Sequence, residues 1–247
     1  MNNLFSALVL GVVQGLTEFL PVSSSGHLVI FKSFFPSFPA TSGLFEIFLH
    51  AGTLLSILYY FRKTLLQDTG YLRPIIIGTI PAVVVGFLLR DHVDVLFSSL
   101  TLVGFALLFT GLVNIRTSKS EEKSGKLDDK SALFIGIFQA IAIIPGVSRS
   151  GSTIFAGVSR GVARKESAKF SFLLSIPAVL GANLLEFSKI NFGQIDFPVY
   201  VVGFFAAFLS GLFAIGAVFK FLKSKRFYLF GYYCLAVGAI VIITALF

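Results

Sequence analysis

The chain is almost without thiols and poor in charge. Its single cysteine, Cys234, excludes an intrachain disulfide and gives no thiolate metal site, so it reads as a packing residue in an apolar stretch. Charged residues are only 13% of the chain, about half the share of an ordinary soluble domain. No CxxC, HExxH, Walker or GxGxxG pattern occurs, which removes the common zinc, nucleotide and dinucleotide chemistries. There is no basic patch interleaved with aromatics, so the net charge of +8 does not point to nucleic acid. The start, Met1-Asn2-Asn3, lacks a basic region and the first apolar run holds Gln14 and Glu18, so no cleaved signal is expected there.

The remainder is hydrophobic. Apolar residues make up 55% of the sequence, phenylalanine alone contributes 30, and the mean hydropathy is +0.89, the composition of an integral membrane protein. The runs 95–115, 197–219 and 227–247 are each long enough, at about 1.5 Å per residue, to cross a hydrocarbon layer of about 30 Å as a helix.

The sequence is also duplicated. Residues 6–26 recur as 131–151 without a gap, at an offset of 125, and nine of the 21 positions are identical. Composition alone would give roughly one or two matches. The register persists: Gly78, Ala82 and Gly86 fall on Gly203, Ala207 and Gly211, and Gly104 and Gly111 reappear as Gly231 and Gly238. Each half is read as two short segments flanking a Ser/Gly loop (about 4–20 and 24–35, then 131–145 and 150–160). Three longer helices come next in each (about 44–61, 74–90, 95–115, then 168–187, 197–220, 227–247). We therefore expect one all-α, polytopic membrane domain, with repeat one at 1–116, a polar linker at 117–130 and repeat two at 131–247. Whether each short pair spans or dips in and returns, a half crosses an odd number of times, so the second repeat is inverted. Alternating the sides puts 16 Lys and Arg on one face and only Lys32, Arg90 and Lys189 on the other. That bias makes the basic rim cytoplasmic, against anionic lipid headgroups, and places both termini outside.

Arg149 is the one cation left over, inside the second Ser/Gly loop. A charge within the membrane is costly and marks a functional site by default. Its surroundings, Pro145-Gly146-Val147-Ser148-Arg149-Ser150-Gly151, offer hydroxyls, backbone N–H groups at a helix start and a guanidinium, which suits an anion such as phosphate. The bland alternative is an Arg149–Glu18 pair that only fixes the fold. The first loop supplies Glu18, then Ser23, Ser24, Ser25 and His27 within ten residues, with Gln14 one helical turn before Glu18. A carboxylate and phosphate oxygens share affinity for a hard cation such as Mg²⁺ or Ca²⁺, and the imidazole exchanges protons near neutral pH. Alone, His27 would read as a packing histidine. Glu46 and His50 form another i, i+4 pair, either supporting this site or lying in the headgroup region; His92, between Asp91 and Asp94, reads as a solvated loop residue.

At these residues the chain resembles a known family. The stretch from Gln14 through Glu18 to Pro21-Val22-Ser23-Ser24-Ser25-Gly26-His27, with the Pro-Gly-x-Ser-Arg-Ser stretch starting at Pro145, is similar to the paired signatures of undecaprenyl-diphosphate phosphatases, the membrane enzymes linked to bacitracin resistance. The resemblance covers essentially the whole chain. It implies two inverted repeats, each a re-entrant helix hairpin plus three transmembrane helices, in a bacterial cell membrane. It also implies cation-dependent hydrolysis of undecaprenyl diphosphate to undecaprenyl phosphate and inorganic phosphate at a site opening to the outer face. By position, Glu18, Ser24, His27 and Arg149 match the catalytic residues; Gln14, Ser23, Ser25, Ser148, Ser150 and Gly151 match the surrounding substrate-binding positions. Gln14 stands where many members carry Glu and Ser25 where many carry Thr, so metal binding would fall to Glu18 alone or with Glu46. Expected partners are the prenyl diphosphate lipid, membrane lipids and a second copy of the chain. The rival reading is a secondary transporter or flippase of a phosphorylated lipid, since inverted repeats with broken helices also build transporters.

Overall fold

The structure, a computed structural model, describes residues 3–32, 43–89, 96, 99–121, 123–187 and 196–246. These residues are helical throughout, with one isolated bridge between Gly125 and Val162 as their sole β pairing. In chain order the helices are α1 (Asn3–Phe19), α2 (Ser24–Lys32), α3 (Gly43–Tyr60), α4 (Arg62–Gln67), α5 (Leu72–Leu89, entered through a 3-10 turn at Thr69–Tyr71) and α6 (Leu100–Lys119). The second half continues with α7 (Asp129–Ile141), α8 (Arg149–Ser159), α9 (Arg164–Phe187), α10 (Phe197–Lys223) and α11 (Tyr228–Leu246). Six of these, α3, α5 with its leading turn, α6, α9, α10 and α11, are long and apolar enough to cross a membrane, which fits a multi-pass membrane protein. The helices α2, α7 and α8, of 9, 13 and 11 residues, are too short to do so.

The elements read from hydropathy are present, with displaced ends. The apolar run at 95–115 becomes a helix over Leu100–Lys119, capped at Ser99, whose hydroxyl accepts the Leu102 N–H. Hydropathy marks the lipid layer, whereas capping and propensity mark the helix, so α6 runs on through Arg116 and Lys119 beyond the apolar stretch. Helix α4 has no counterpart in the hydropathy reading. The 33–35 end of the second short segment, Arg90, Asp91, His92, Asp94 and Lys189 lie outside the described residues. The linker at 117–130 is tethered as well as polar. Gly125 exchanges backbone hydrogen bonds with Gly161 and Ala163 at 3.1 Å, and Asp128 caps α7 by accepting the Ser131 N–H at 2.9 Å. The Ser131 side-chain and backbone donors hold the Asp128 carboxyl below the usual carboxylate range.

Small residues determine which helices touch. Lipid offers no hydrophobic drive for helix association, so close backbone approach and dispersion do the packing. Helices α6 and α11 cross antiparallel through matched glycines: a Cβ added at Gly111 would stand 2.8 Å from the Gly231 carbonyl oxygen, and one at Gly238 2.8 Å from that of Gly104. Gly11 of α1 lies against Gly203 of α10 and Gly136 of α7 against Gly78 of α5, so each half packs its first helix on a helix of the other. The main core is likewise shared, with Phe19, Ile57 and Phe61 meeting Phe172, Ala214, Ile215 and Phe227. A smaller cluster of Ala132, Ile135, Ala156, Phe170 and Leu174 is built by the second half and covered by Tyr71, Ile75 and Ile77 of the first.

Two glycine variants test this packing. Gly136→Ala places a methyl 2.9 Å from the Gly78 carbonyl carbon and should cost about 1–3 kcal/mol. Gly216→Ala, with nothing within 4 Å, should be neutral or stabilising by up to about 1 kcal/mol through helix propensity. Thermal unfolding in detergent reads both, and indistinguishable melting temperatures would contradict the glycine contacts.

Candidate active site

Two helix pairs, α1–α2 and α7–α8, each turn through a short loop, and the two loops meet. In each, the first serine caps the next helix: Ser23 Oγ accepts from the Gly26 N–H at 3.3 Å, and Ser148 Oγ from the Gly151 N–H at 3.2 Å. In each, that serine is 3.2 Å from the serine two residues on, Ser23 to Ser25 and Ser148 to Ser150. The second serine then reaches the opposite loop. Ser150 Oγ donates to the Leu20 carbonyl at 3.2 Å, and Ser25 Oγ accepts from the Gly146 N–H at 3.5 Å. The turns need unusual backbone: Gly146 has φ +93°, and Ser23, though not glycine, has φ +71°. These hydroxyls, expected to line the substrate, are engaged in building and joining the loops, and Ser23, Ser148, Ser150 and Gly151 are buried.

One helix grips both loops. Thr110 of α6 donates its hydroxyl to the Gly146 carbonyl and accepts the Ser148 N–H, both at 2.9 Å, and Asn114, one turn on, donates to the Pro21 carbonyl at 2.6 Å. Cys234 of α11 packs against the same Pro21 carbonyl, Sγ at 3.7 Å, in keeping with its packing role. Sequence reasoning passed over Thr110 and Asn114. The available signal was two polar residues at i, i+4 inside an apolar run.

At the meeting point the charges pair. Arg149, first residue of α8, donates from Nη2 to Glu18 Oε1 at 2.5 Å and from Nη1 to the Ser171 carbonyl of α9 at 3.3 Å. Glu18 Oε2 accepts from Ser24 Oγ at 2.7 Å and from Gln14 Nε2 at 3.2 Å. Only 9% of the Glu18 side chain and 15% of the Arg149 side chain are exposed. The next residues lock the arrangement, with Phe19 edge-on to Phe172 at 5.6 Å. Four of the sequence candidates, Gln14, Glu18, Ser24 and Arg149, thus form one bonded cluster. Glu46 and His50 stand one turn apart on α3.

His27 is placed differently. Its Nδ1 is 2.8 Å from the Ser23 carbonyl, which can only accept, so Nδ1 carries the proton. Its Nε2, 2.7 Å from the Tyr233 hydroxyl of α11, then accepts from that phenol, with the rings stacked at 5.5 Å. Both ring nitrogens are occupied by Ser23 and Tyr233, and neither bonds Ser24 or Glu18. Tyr233 also escaped the sequence reading, since nothing in an apolar final run distinguishes it from neighbouring aromatics.

Among the described residues no three His, Cys, Asp or Glu side chains come together as a protein-only metal cage. The Gln14 side-chain oxygen is fully buried and has no hydrogen-bond partner. Its amide nitrogen donates to Glu18 Oε2, so the amide oxygen and the carboxylate are two hard-oxygen donors carried one helical turn apart on α1. That is a hard-oxygen pair of the kind Mg²⁺ or Ca²⁺ accepts, with phosphate oxygens and water completing the shell.

The clamp is testable without touching the charged cluster. Thr110→Val removes one hydroxyl and strands two buried backbone groups, each worth about 1–3 kcal/mol. We expect a clearly lower melting temperature and reduced turnover; a variant matching the wild type in both would show that α6 does not hold the second loop.

Known proteins resemble this chain over nearly its whole length. The family model described as bacitracin resistance protein BacA matches residues 7–240. The chain is 42% identical over 271 residues to undecaprenyl-diphosphatase of Desulforapulum autotrophicum, covering 97% of this chain and 98% of that protein. With the enzyme of the same name from Carboxydothermus hydrogenoformans it shares 41% over 257 residues, covering 98% and 97%. With that of Methanococcus maripaludis it shares 39% over 241 residues, covering 92% and 94%.

Proposed function

The chain belongs to the bacitracin resistance protein BacA family, and from that premise we infer that it hydrolyses undecaprenyl diphosphate to undecaprenyl phosphate and inorganic phosphate. The observation that carries the reading is one carboxylate, Glu18, bonded to a hydroxyl on one oxygen and to a guanidinium on the other. A nucleophile, its base and a phosphate-holding cation are thereby joined. A transporter needs the cation but has no use for the other two.

In the resting site Glu18 occupies the oxygen position that a substrate phosphate would take on Arg149. The diphosphate displaces it, gaining the guanidinium and the N-terminal ends of α2 and α8, where helix dipoles favour negative charge. Released from Arg149, Glu18 keeps its bond to Ser24. Ser24 Oγ attacks the terminal phosphorus as its proton passes to Glu18; the new bond is Oγ–P, the broken one joins phosphorus to the bridging oxygen, and undecaprenyl phosphate leaves. Water then cleaves Oγ–P, giving inorganic phosphate and returning the proton to Ser24. At 2.7 Å, Glu18 is the base within reach, whereas His27 has its acceptor nitrogen taken by Tyr233. His27 orients the loop through its bonds to Ser23 and Tyr233. In the variant route, the same groups activate water directly.

A divalent cation would be held by Glu18 and the Gln14 side-chain oxygen with the substrate's phosphate oxygens, or by Glu18 with Glu46. Bound there, it would neutralise charge on the transferring phosphoryl group.

For the membrane setting we propose two inverted repeats, 1–116 and 131–247, with α1–α2 and α7–α8 as re-entrant pairs. The linker at 117–130 is cytoplasmic, both termini are outside, and the site opens to the outer face of a bacterial cell membrane. The short α2, α7 and α8 support re-entry, and the antiparallel pairing of the corresponding helices α6 and α11 supports inversion. A homodimer is the assembly proposed for the lipid bilayer.

Phosphate release by the purified protein tests the site. Glu18→Gln and Arg149→Ala should each lower kcat by about a thousandfold. If either keeps near wild-type turnover, the cluster is not the catalytic centre. Ser24→Ala should be equally impaired, and a trapped phosphoserine would be lost with it; full turnover would assign the attack to water. Chelation should abolish release, and Mg²⁺ or Ca²⁺ should restore it; activity unaffected by chelator removes the cation.

A further inference from the structure

Helices α8 and α9 lie antiparallel and in step. An added Cβ at Gly157 would stand 2.6 Å from Ser167 Oγ, so the two helices are in close contact at that level. One turn towards the site on each helix, Thr153 meets Ser171, with their hydroxyl oxygens 2.6 Å apart. Both residues are buried. One further turn back along α8 stands Arg149, the first residue of that helix.

The directions of these hydrogen bonds follow from what each group can donate. Thr153 has one hydroxyl proton, and its Oγ1 is 2.8 Å from the Arg149 carbonyl, which can only accept; the Ser150 carbonyl is the longer alternative at 3.3 Å. The proton between the two hydroxyls therefore belongs to Ser171, which donates to Thr153. The Ser171 carbonyl in turn accepts from Arg149 Nη1 at 3.3 Å. The three hydrogen bonds close a ring through Arg149, Thr153 and Ser171, which ties both the backbone and the guanidinium of Arg149 to α9.

We propose that Ser171 is a positioning residue for Arg149 in phosphate capture, acting through its carbonyl and kept in register by its hydroxyl. The proposal rests on the phosphatase reading above and adds how the guanidinium changes partner. A guanidinium presents five N–H groups in one rigid plane, so one nitrogen can keep a bond while another exchanges its own. Nη2 faces Glu18 and passes to a phosphate oxygen, whereas Nη1 stays on a main-chain carbonyl built into a helix. The exchange is then a pivot about Nη1, in which the cation is never released and its fork stays aimed at the same place. An ammonium is a point charge without that second, fixed edge, so a lysine would gain nothing from Ser171.

Phosphate release from undecaprenyl diphosphate tests this in a double-mutant cycle of Ser171→Ala and Arg149→Lys. Ser171→Ala removes the hydroxyl that holds the carbonyl in register and adds no bulk. With arginine at 149 it should lower kcat/KM about tenfold, the loss expected when a hydrogen bond to a charged group is misplaced. With lysine at 149 the same change should cost no more than about twofold, because the two residues act as a unit. Ser167→Ala is the control: Ser167 is a buried serine one turn earlier on the same face of α9, its hydroxyl donating to the Val162 carbonyl at 3.3 Å, and its loss should leave turnover as in the wild type. An equal fall from Ser171→Ala in both backgrounds would make Ser171 a packing residue and overturn the proposal. So would no fall with arginine present, or a fall as large for Ser167→Ala. Should Ser171→Ala fail to fold or the lysine background be silent, Thr153 reads the same ring. Thr153→Ser keeps the hydroxyl and should stay within about twofold of the wild type, whereas the isosteric Thr153→Val should lose about tenfold in kcat/KM. Equal activity of these two variants would overturn the ring. Each of these contrary results leaves the phosphatase reading standing; no phosphate release by the wild type would overturn that reading and the positioning role with it.

Discussion

A helix that ends among other helices, away from water, leaves backbone groups that must find partners in the protein, and the architecture is set by how they are found. Both loops end helices in the buried interior. Their serines cap α2 and α8, the Gly146 carbonyl and Ser148 N–H go to Thr110, the Pro21 carbonyl to Asn114 and the Leu20 carbonyl to the opposite loop. In a medium without water each unmet group costs several kcal/mol. The loops are consequently specified together, and neither is complete without the other.

The buried ion pair is a second layer on this scaffold. A buried pair contributes little net stability over an apolar substitute, yet removing one partner costs about 3–5 kcal/mol because the other charge is stranded. Arg149 and Glu18 therefore hold each other in place, and in the proposed mechanism an incoming phosphate substitutes for Glu18. The exchange of one oxyanion for another avoids ever exposing an unpaired guanidinium to the apolar interior. In that proposal Glu18 serves as both structural partner and base, because Ser24 is bonded to one carboxylate oxygen and Arg149 to the other.

Much of this was legible in the sequence. Duplication, hydropathy and the solitary intramembrane arginine pointed to an all-helical membrane protein with a paired-loop centre, and Gln14, Glu18, Ser24 and Arg149 are bonded to one another as their positions suggested. Side chains that act from distant helices were not legible. Thr110, Asn114, Ser171 and Tyr233 occupy helix faces that only the tertiary crossing turns towards the loops, and Ser171 contributes through its carbonyl, which no residue type advertises. Nor could the sequence reveal that His27 is tied to Tyr233, 206 residues away. The glycine stripes predicted close packing in both halves. They could not tell which helix each stripe would meet, because that depends on the tertiary crossing.

Glu18 and Arg149 are separated by 131 residues, which bears on how the chain is made. At about 5–20 residues per second, translation delivers the acid roughly 7 to 26 seconds before its counterion exists. Through that interval the nascent first half carries a carboxylate with no guanidinium to meet it. The carboxylate must stay protonated, remain at the lipid–water boundary or be shielded by the insertion machinery. Its pairing is thus a late event in biogenesis, timed by the arrival of the second loop.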